Sequence, residues 1–308
     1  MSDYDCVIIG EAHNVPLEHA LRYFENGEME LMFTFDHMRA DCIGTDFIRR
    51  RFSVKKFKRA LSAWQNGLAG RAWNALYLEN HDHARVISRY GSERYRVESG
   101  KALAAAYMLL QGTPFIYQGQ EIGMTNLRLP SADMYPDVQT RGMVKAASRW
   151  LSPRRVLRLT QDAARDSART PMQWTSGKNA GFTEGEPWFF VNENARTVNV
   201  EAEDADEDSL LNFYRALIAF RKGEPIIRYG SYTEHIPQSA NFYVYSREFE
   251  ERRLLVIASL VDKETYFTCP EGFNLVDGEL IFKNYDLNVV VNNAFTARPY
   301  ELRVYLFE

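Results

Sequence analysis

The chain has 308 residues, of which 45% are hydrophobic and 25% charged, with a formal net charge of −4. This is the make-up of a globular protein large enough for one big domain or two ordinary ones. With no evident basic stripe, three widely spaced cysteines (Cys6, Cys42, Cys269) and no apolar run near the ~20 residues of a membrane helix, it argues against a nucleic-acid partner, a disulfide framework, a metal site and a membrane span.

In chain order, the first half alternates short apolar runs with amphipathic stretches. Cys6-Val7-Ile8-Ile9, Leu31 to Phe35, Ala75 to Leu78 and Pro114 to Tyr117 each read as a strand buried on both faces of a parallel sheet. Ser53 is the expected N-cap of a helix with Val54, Phe57, Leu61 and Trp64 on one face, ending near Gly67. Ser92 is the expected cap of an Ala-rich helix to Gln111, with Gly112 as its stop. This rhythm of strand and helix predicts right-handed βαβ units. From Thr125 to Asp208 periodicity is lost, and the stretch reads as a long excursion over one face, with an acidic, solvated run from Glu201 to Asp208. Asp208 opens a helix with Leu210, Phe213, Tyr214 and Leu217 on its apolar side, stopped by Gly223. Beyond Tyr229 the pattern becomes a series of short strands, starting at Asn241, Leu254, Tyr266, Glu279, Asn288 and Leu302, with Asp277-Gly278 as a hairpin signal.

Polar residues follow each of the first four runs: Gly10-Glu11-Ala12-His13, Asp36-His37, Glu79-Asn80-His81-Asp82 and Gln118-Gly119-Gln120-Glu121. In a β/α barrel the strand ends open into one mouth, where catalysis occurs, so Glu11 and Asp82 are expected to meet across it. Two facing carboxylates suit glycoside hydrolysis, in which one assists the leaving group and another stabilises the charge at the anomeric carbon.

Four segments carry a specific resemblance. Val7-Ile8-Ile9-Gly10-Glu11 resembles the end of strand five in glycoside hydrolase family 13, Leu78-Glu79-Asn80-His81-Asp82 the end of its strand seven, and Thr113 to Asn126 its strand-eight segment. Ala164 to Trp174 resembles a stretch of its oligo-1,6-glucosidase, dextran glucosidase and trehalose-6-phosphate hydrolase members. The resemblance implies an α/β fold, the C-terminal half of a (β/α)8 TIM barrel (strands five to eight, residues 1–228), followed by an antiparallel β-sandwich domain (residues 229–308). It implies Glu11 as general acid/base, Asp82 as the carboxylate that binds sugar hydroxyls and holds the distorted ring, His81 as a donor to the same sugar, and Arg165 as a ligand of the terminal glucose. The implied activity is a retaining exo-α-glucosidase acting on short oligosaccharides such as α-1,6-linked ones. Trehalose-6-phosphate hydrolysis, with Arg49-Arg50-Arg51 as a phosphate cluster, is one alternative, and a non-catalytic sugar-binding or subunit remnant another.

The sequence also departs from that family. A segment like Gly-Phe-Arg-Met-Asp, which carries the nucleophile at strand four, does not occur in the 308 residues. The strand-one loop that binds calcium in some relatives has no counterpart either, so no cofactor is expected. Gln120 stands where many relatives have Glu, as does Gln139, which points to altered aglycone preferences. The expectation is therefore a shortened, inactive chain that begins inside a longer gene, sits in a reducing cytoplasmic setting, takes a small oligosaccharide as its partner with no nucleic acid or membrane, and self-associates through exposed barrel edges.

Overall fold

A computed structural model describes residues 4–286 and 290–308. In chain order its first part comprises β1 (Ile9–Ala12), α1 (Leu17–Glu25), β2 (Leu31–Thr34), a short hairpin of β3 (Cys42–Ile43) and β4 (Thr45–Arg49), α2 (Val54–Leu68), β5 (Trp73–Leu76), α3 (Val86–Arg89), α4 (Arg96–Met108) and β6 (Thr113–Pro114). Strands β1, β2, β5 and β6 lie side by side in that order, all parallel. The register puts Glu11 opposite Phe33, Phe33 opposite Ala75 and Ala75 opposite Thr113, a single row across the sheet. The four polar strand ends therefore leave the sheet on the same side.

Local chemistry explains much of this. Ser53 does cap α2, its hydroxyl accepting from the Lys56 amide, and Phe57, Leu61 and Trp64 are buried beneath it. Ser92 does not cap the Ala-rich helix. It accepts from the Tyr95 amide in the turn before α4, which starts at Arg96. Gly112 has φ +138° in the turn before β6, where a Cβ would lie 2.6 Å from the Asn74 carbonyl oxygen, so only glycine fits there.

The stretch from Thr125 to Asp208 is less irregular than its sequence suggests. It holds α5 (Val138–Ala147), α6 (Pro153–Ala163) and α7 (Val200–Ala205). The acidic run is solvated except at one position: Glu203 on α7 is buried, pairs with Arg96 at 2.7 Å and accepts from the Leu210 amide. That places a carboxylate at the N-terminus of α8 (Leu210–Gly223), where the helix dipole favours it. The N-cap of α8 is Ser209 rather than Asp208.

After α9 (Pro225–Tyr229) come β7 (Ser231–His235), β8 (Phe242–Phe249), β9 (Arg252–Ser259), β10 (Thr265–Thr268), β11 (Glu279–Lys283), β12 (Ala294–Ala297) and β13 (Leu302–Phe307). They form a five-stranded antiparallel sheet, β11-β13-β9-β8-β7, and a two-stranded one, β10-β12. Alternation sends Tyr243, Tyr245, Leu254 and Val256 into the core shared with α4 and α8, and Phe242, Val244, Leu255 and Ile257 against Phe267 and Phe295 of the small sheet. Because both faces are covered, β13 is buried throughout and the inner parts of β8 and β9 are buried with it. The Asp277-Gly278 pair does not make a hairpin: Asp277 closes a turn onto Asn274, and β11 pairs with β13. The strand expected at Asn288 begins outside the described residues.

Candidate active site

Glu11 is the penultimate residue of β1 and is exposed. Together with Phe33, Phe35, Tyr77, His81 and Tyr117 it lines a cavity of about 240 Å³. Its aromatic walls are locked edge to face, Phe33 against Tyr77 at 5.3 Å and against Phe115 at 4.6 Å. No lysine or arginine lines it.

Asp82 sits at the same end of the sheet, beyond β5. Its Oδ1 accepts from Arg165 and from Arg169, both at 2.8 Å, while its Oδ2 lies 3.4 Å from His81 Nε2. The same two guanidinium groups donate to Asp137, Arg165 to Oδ1 and Arg169 to Oδ2, again at 2.8 Å. Two cations and two anions thus close a neutral ring. Burial opposes ionisation of Asp137, but the Arg165 hydrogen bond and the charges of both arginines outweigh it and hold that carboxyl below its ordinary value. Arg169 also donates to the His81 carbonyl, which fixes the backbone of the motif. Asp137 in turn caps α5 through the Gln139 and Thr140 amides, and buried Asp166 holds that segment through Thr140.

A second pair sets the strand ends. Arg85 is fully buried and donates to Glu79 at 3.0 Å, to the Gln118 carbonyl at 2.7 Å and to the Ser167 carbonyl at 3.3 Å. Burial of Glu79 pushes its carboxyl up, against the opposing charge of Arg85.

Of the residues singled out from sequence, Glu11 and His81 line one cavity, and Asp82 and Arg165 meet beside it. Asp36 and His37 serve the scaffold: Asp36 accepts from the Trp64 indole at 2.7 Å, and buried His37 contacts the Tyr77 carbonyl at 2.8 Å. Gln120 is buried and donates to Tyr107 and Tyr214, so it faces the core rather than an aglycone. Sequence reasoning missed Arg169 and Asp137. The first lay inside the quoted Ala164–Trp174 segment, and the second carried no signal beyond its place before α5. Among the described residues no cluster of three or more His, Cys, Asp or Glu side chains could hold a metal ion.

Comparison with known proteins adds to this geometry. The family model described as alpha amylase, catalytic domain, matches residues 1–230. Oligo-1,6-glucosidase of Bacillus cereus is 39% identical over 99% of this chain and 56% of its own length. Trehalose-6-phosphate hydrolase of Bacillus subtilis is 37% identical over 99% of this chain and 55% of its own length. Among solved structures, trehalose-6-phosphate hydrolase of Bacillus licheniformis matches with a TM-score of 0.94 at 35% identity, covering 100% of this chain and 57% of that one. Isomaltulose synthase of Klebsiella sp. matches with a TM-score of 0.90 at 31% identity, covering 99% and 56%. The chain spans about half the length of the curated relatives it matches. By the matched family model and by an acid-lined mouth at the ends of parallel strands, the chain belongs to the α-amylase catalytic-domain family, glycoside hydrolase family 13, and is similar to its oligo-1,6-glucosidase and trehalose-6-phosphate hydrolase members.

Proposed function

We propose that this chain supplies the acid/base half of a retaining α-glucosidase site for short, uncharged oligosaccharides. The observation that carries this reading is the cavity shared by Glu11 and His81, walled by aromatic rings, with Asp82 held beside it. Glu11 gives its proton to the glycosidic oxygen as the bond to the anomeric carbon breaks. It then takes a proton from the water that releases the sugar. Asp82 has one oxygen held by two arginines and the other turned to His81, so it can meet sugar hydroxyls in a fixed orientation.

Residues 1–228 act in this reading as strands five to eight of the barrel, residues 229–308 as a β-sandwich that shares a core with α4 and α8, and the attacking carboxylate comes from outside the 308 residues. Full closure takes eight strands. The two outer strands of the sheet, β1 and β6, therefore offer free edges, and Val7 and Ile9 are 63% and 42% exposed. The chain alone is expected to run above monomer size in light-scattering chromatography, and Val7→Asp with Ile9→Lys to return it toward monomer. A monomeric parent chain would refute this. A reducing, cytoplasmic setting suits its three unpaired thiols.

Uncharged substrates are favoured over phosphorylated ones by the electrostatics. Arg165 and Arg169 are spent on Asp82 and Asp137. Of the Arg49–Arg51 cluster, Arg49 pairs with Asp41 and Arg51 with Asp262, and none of the three lines the cavity. Joined to the part of the Bacillus cereus enzyme it does not match, the chain is expected to hydrolyse isomaltose at least about tenfold better than trehalose 6-phosphate, the worth of one charge-assisted bond to the phosphate. The chain alone is expected to hydrolyse neither. A folded joined protein that binds glucose but turns over nothing would favour the non-catalytic alternative.

A further inference from the structure

The net charge of the chain hides a local reversal. Residues 138–158 carry six cations, Arg141, Lys145, Arg149, Arg154, Arg155 and Arg158, and no Asp or Glu, in a protein whose total is −4. They are spread over two helices and the link between them, so they form no continuous run in the sequence. The fold brings those helices together: α5 and α6 pack on each other, and α6 rests on β4 through a buried side that includes Val156 and Thr160. All six cations are exposed. Arg158 faces Asp162 on its own helix, and the other five form no ion pair among the described residues. In the link between the helices Trp150 stands 87% exposed, next to Arg149 and shortly before Arg154 and Arg155.

An exposed indole flanked in sequence by cations on a helical hairpin matches the water–bilayer interface. There tryptophan is favoured, and arginine and lysine meet lipid phosphates. We propose that the α5–α6 hairpin docks this protein reversibly on an anionic lipid bilayer, the six cations facing the phosphates and Trp150 entering the interface. No helix among the described residues is long and apolar enough to cross a membrane, and the proposed contact is a peripheral one. A single-stranded nucleic acid would use the same charges but stacks successive bases on several rings. Trp150 is the only aromatic residue between 138 and 158, which favours the bilayer. This inference is independent of the sugar chemistry.

Flotation of the 308-residue chain with phosphatidylcholine vesicles, with and without phosphatidylglycerol, tests it, since aggregates sink while bound protein floats. Binding is expected only with phosphatidylglycerol, and is expected to weaken as salt rises. Each cation near an anionic surface is worth about fivefold in partitioning, so Arg154→Glu with Arg155→Glu should lose tenfold or more. Arg141→Glu with Lys145→Glu repeats the test on the other helix in case the first pair misfolds. Trp150→Phe should remove the blue shift of tryptophan emission on binding. Equal flotation with both vesicle types, binding unchanged by both charge reversals, or binding to single-stranded RNA with none to anionic vesicles would overturn the proposal.

Discussion

Glu11→Gln in the joined enzyme is expected to cut isomaltose hydrolysis by about 10³-fold, within the range carried by a positioned general acid or base. The side chain keeps its size at an exposed strand end, so the fold should be untouched. The loss should depend on the leaving group. Glucose needs a proton as it departs, whereas nitrophenolate does not, so for a nitrophenyl α-glucoside only the second step, water attack on the glycosyl-enzyme, loses its base. A rapid release of nitrophenolate followed by slow turnover is the expected trace. Asp82→Asn should behave differently. It acts on the sugar rather than on the leaving group, and both substrates should suffer alike. Release of nitrophenolate as slow as its steady-state turnover, with no rapid first phase, would remove Glu11 from the acid/base role.

Acid should loosen the protein below neutrality, and His37 should account for much of it. Burial lowers its pKa from 6.5 to about 4, with the Tyr77 carbonyl and Asp36 pulling upward and Arg89 adding to the fall. A carbonyl only accepts, so Nε2 carries the proton at 2.8 Å and the ring is neutral. As pH drops below 6.5 the unfolded chain binds a proton there, while the folded chain does not until about pH 4. The unfolded state therefore gains, and stability present above 6.5 is lost progressively down to 4, by about 3 kcal/mol for this one side chain. His83 is held well below its usual value, chiefly by burial, and adds in the same direction. His37→Gln keeps a donor for Tyr77 without the titration. Urea unfolding at pH 7 and at pH 4.5 should show a smaller difference for the variant than for the parent. Identical differences would mean that His37 does not govern the acid limb.

The main lines of the fold and the placing of two carboxylates of the candidate site at one end of the sheet could be read directly from the chain, because each is encoded by neighbours in sequence. Short apolar runs ending in polar residues mark the parallel strands, of which the inner β2 and β5 are buried while the outer β1 and β6 are not. Ser53 announces α2 through a hydroxyl three residues from the amide it caps. Glu11 lies in β1, where the register fixes its side of the sheet, and the His81-Asp82 pair follows β5 at the same end. Other features required the assembled molecule. Asp137 lies far from Asp82 in sequence and meets it only through Arg165 and Arg169, after the excursion has folded back over the strand ends. Glu203 reads as solvent-facing until Arg96 and the α8 amides close around it. Gln120 looks like a substrate residue until two tyrosines from different helices claim its amide. Capping and periodicity act over a few residues and leave a local imprint on the sequence. Ion pairs and buried hydrogen bonds join groups that only chain closure brings into range, and the sequence records the groups without the distances between them.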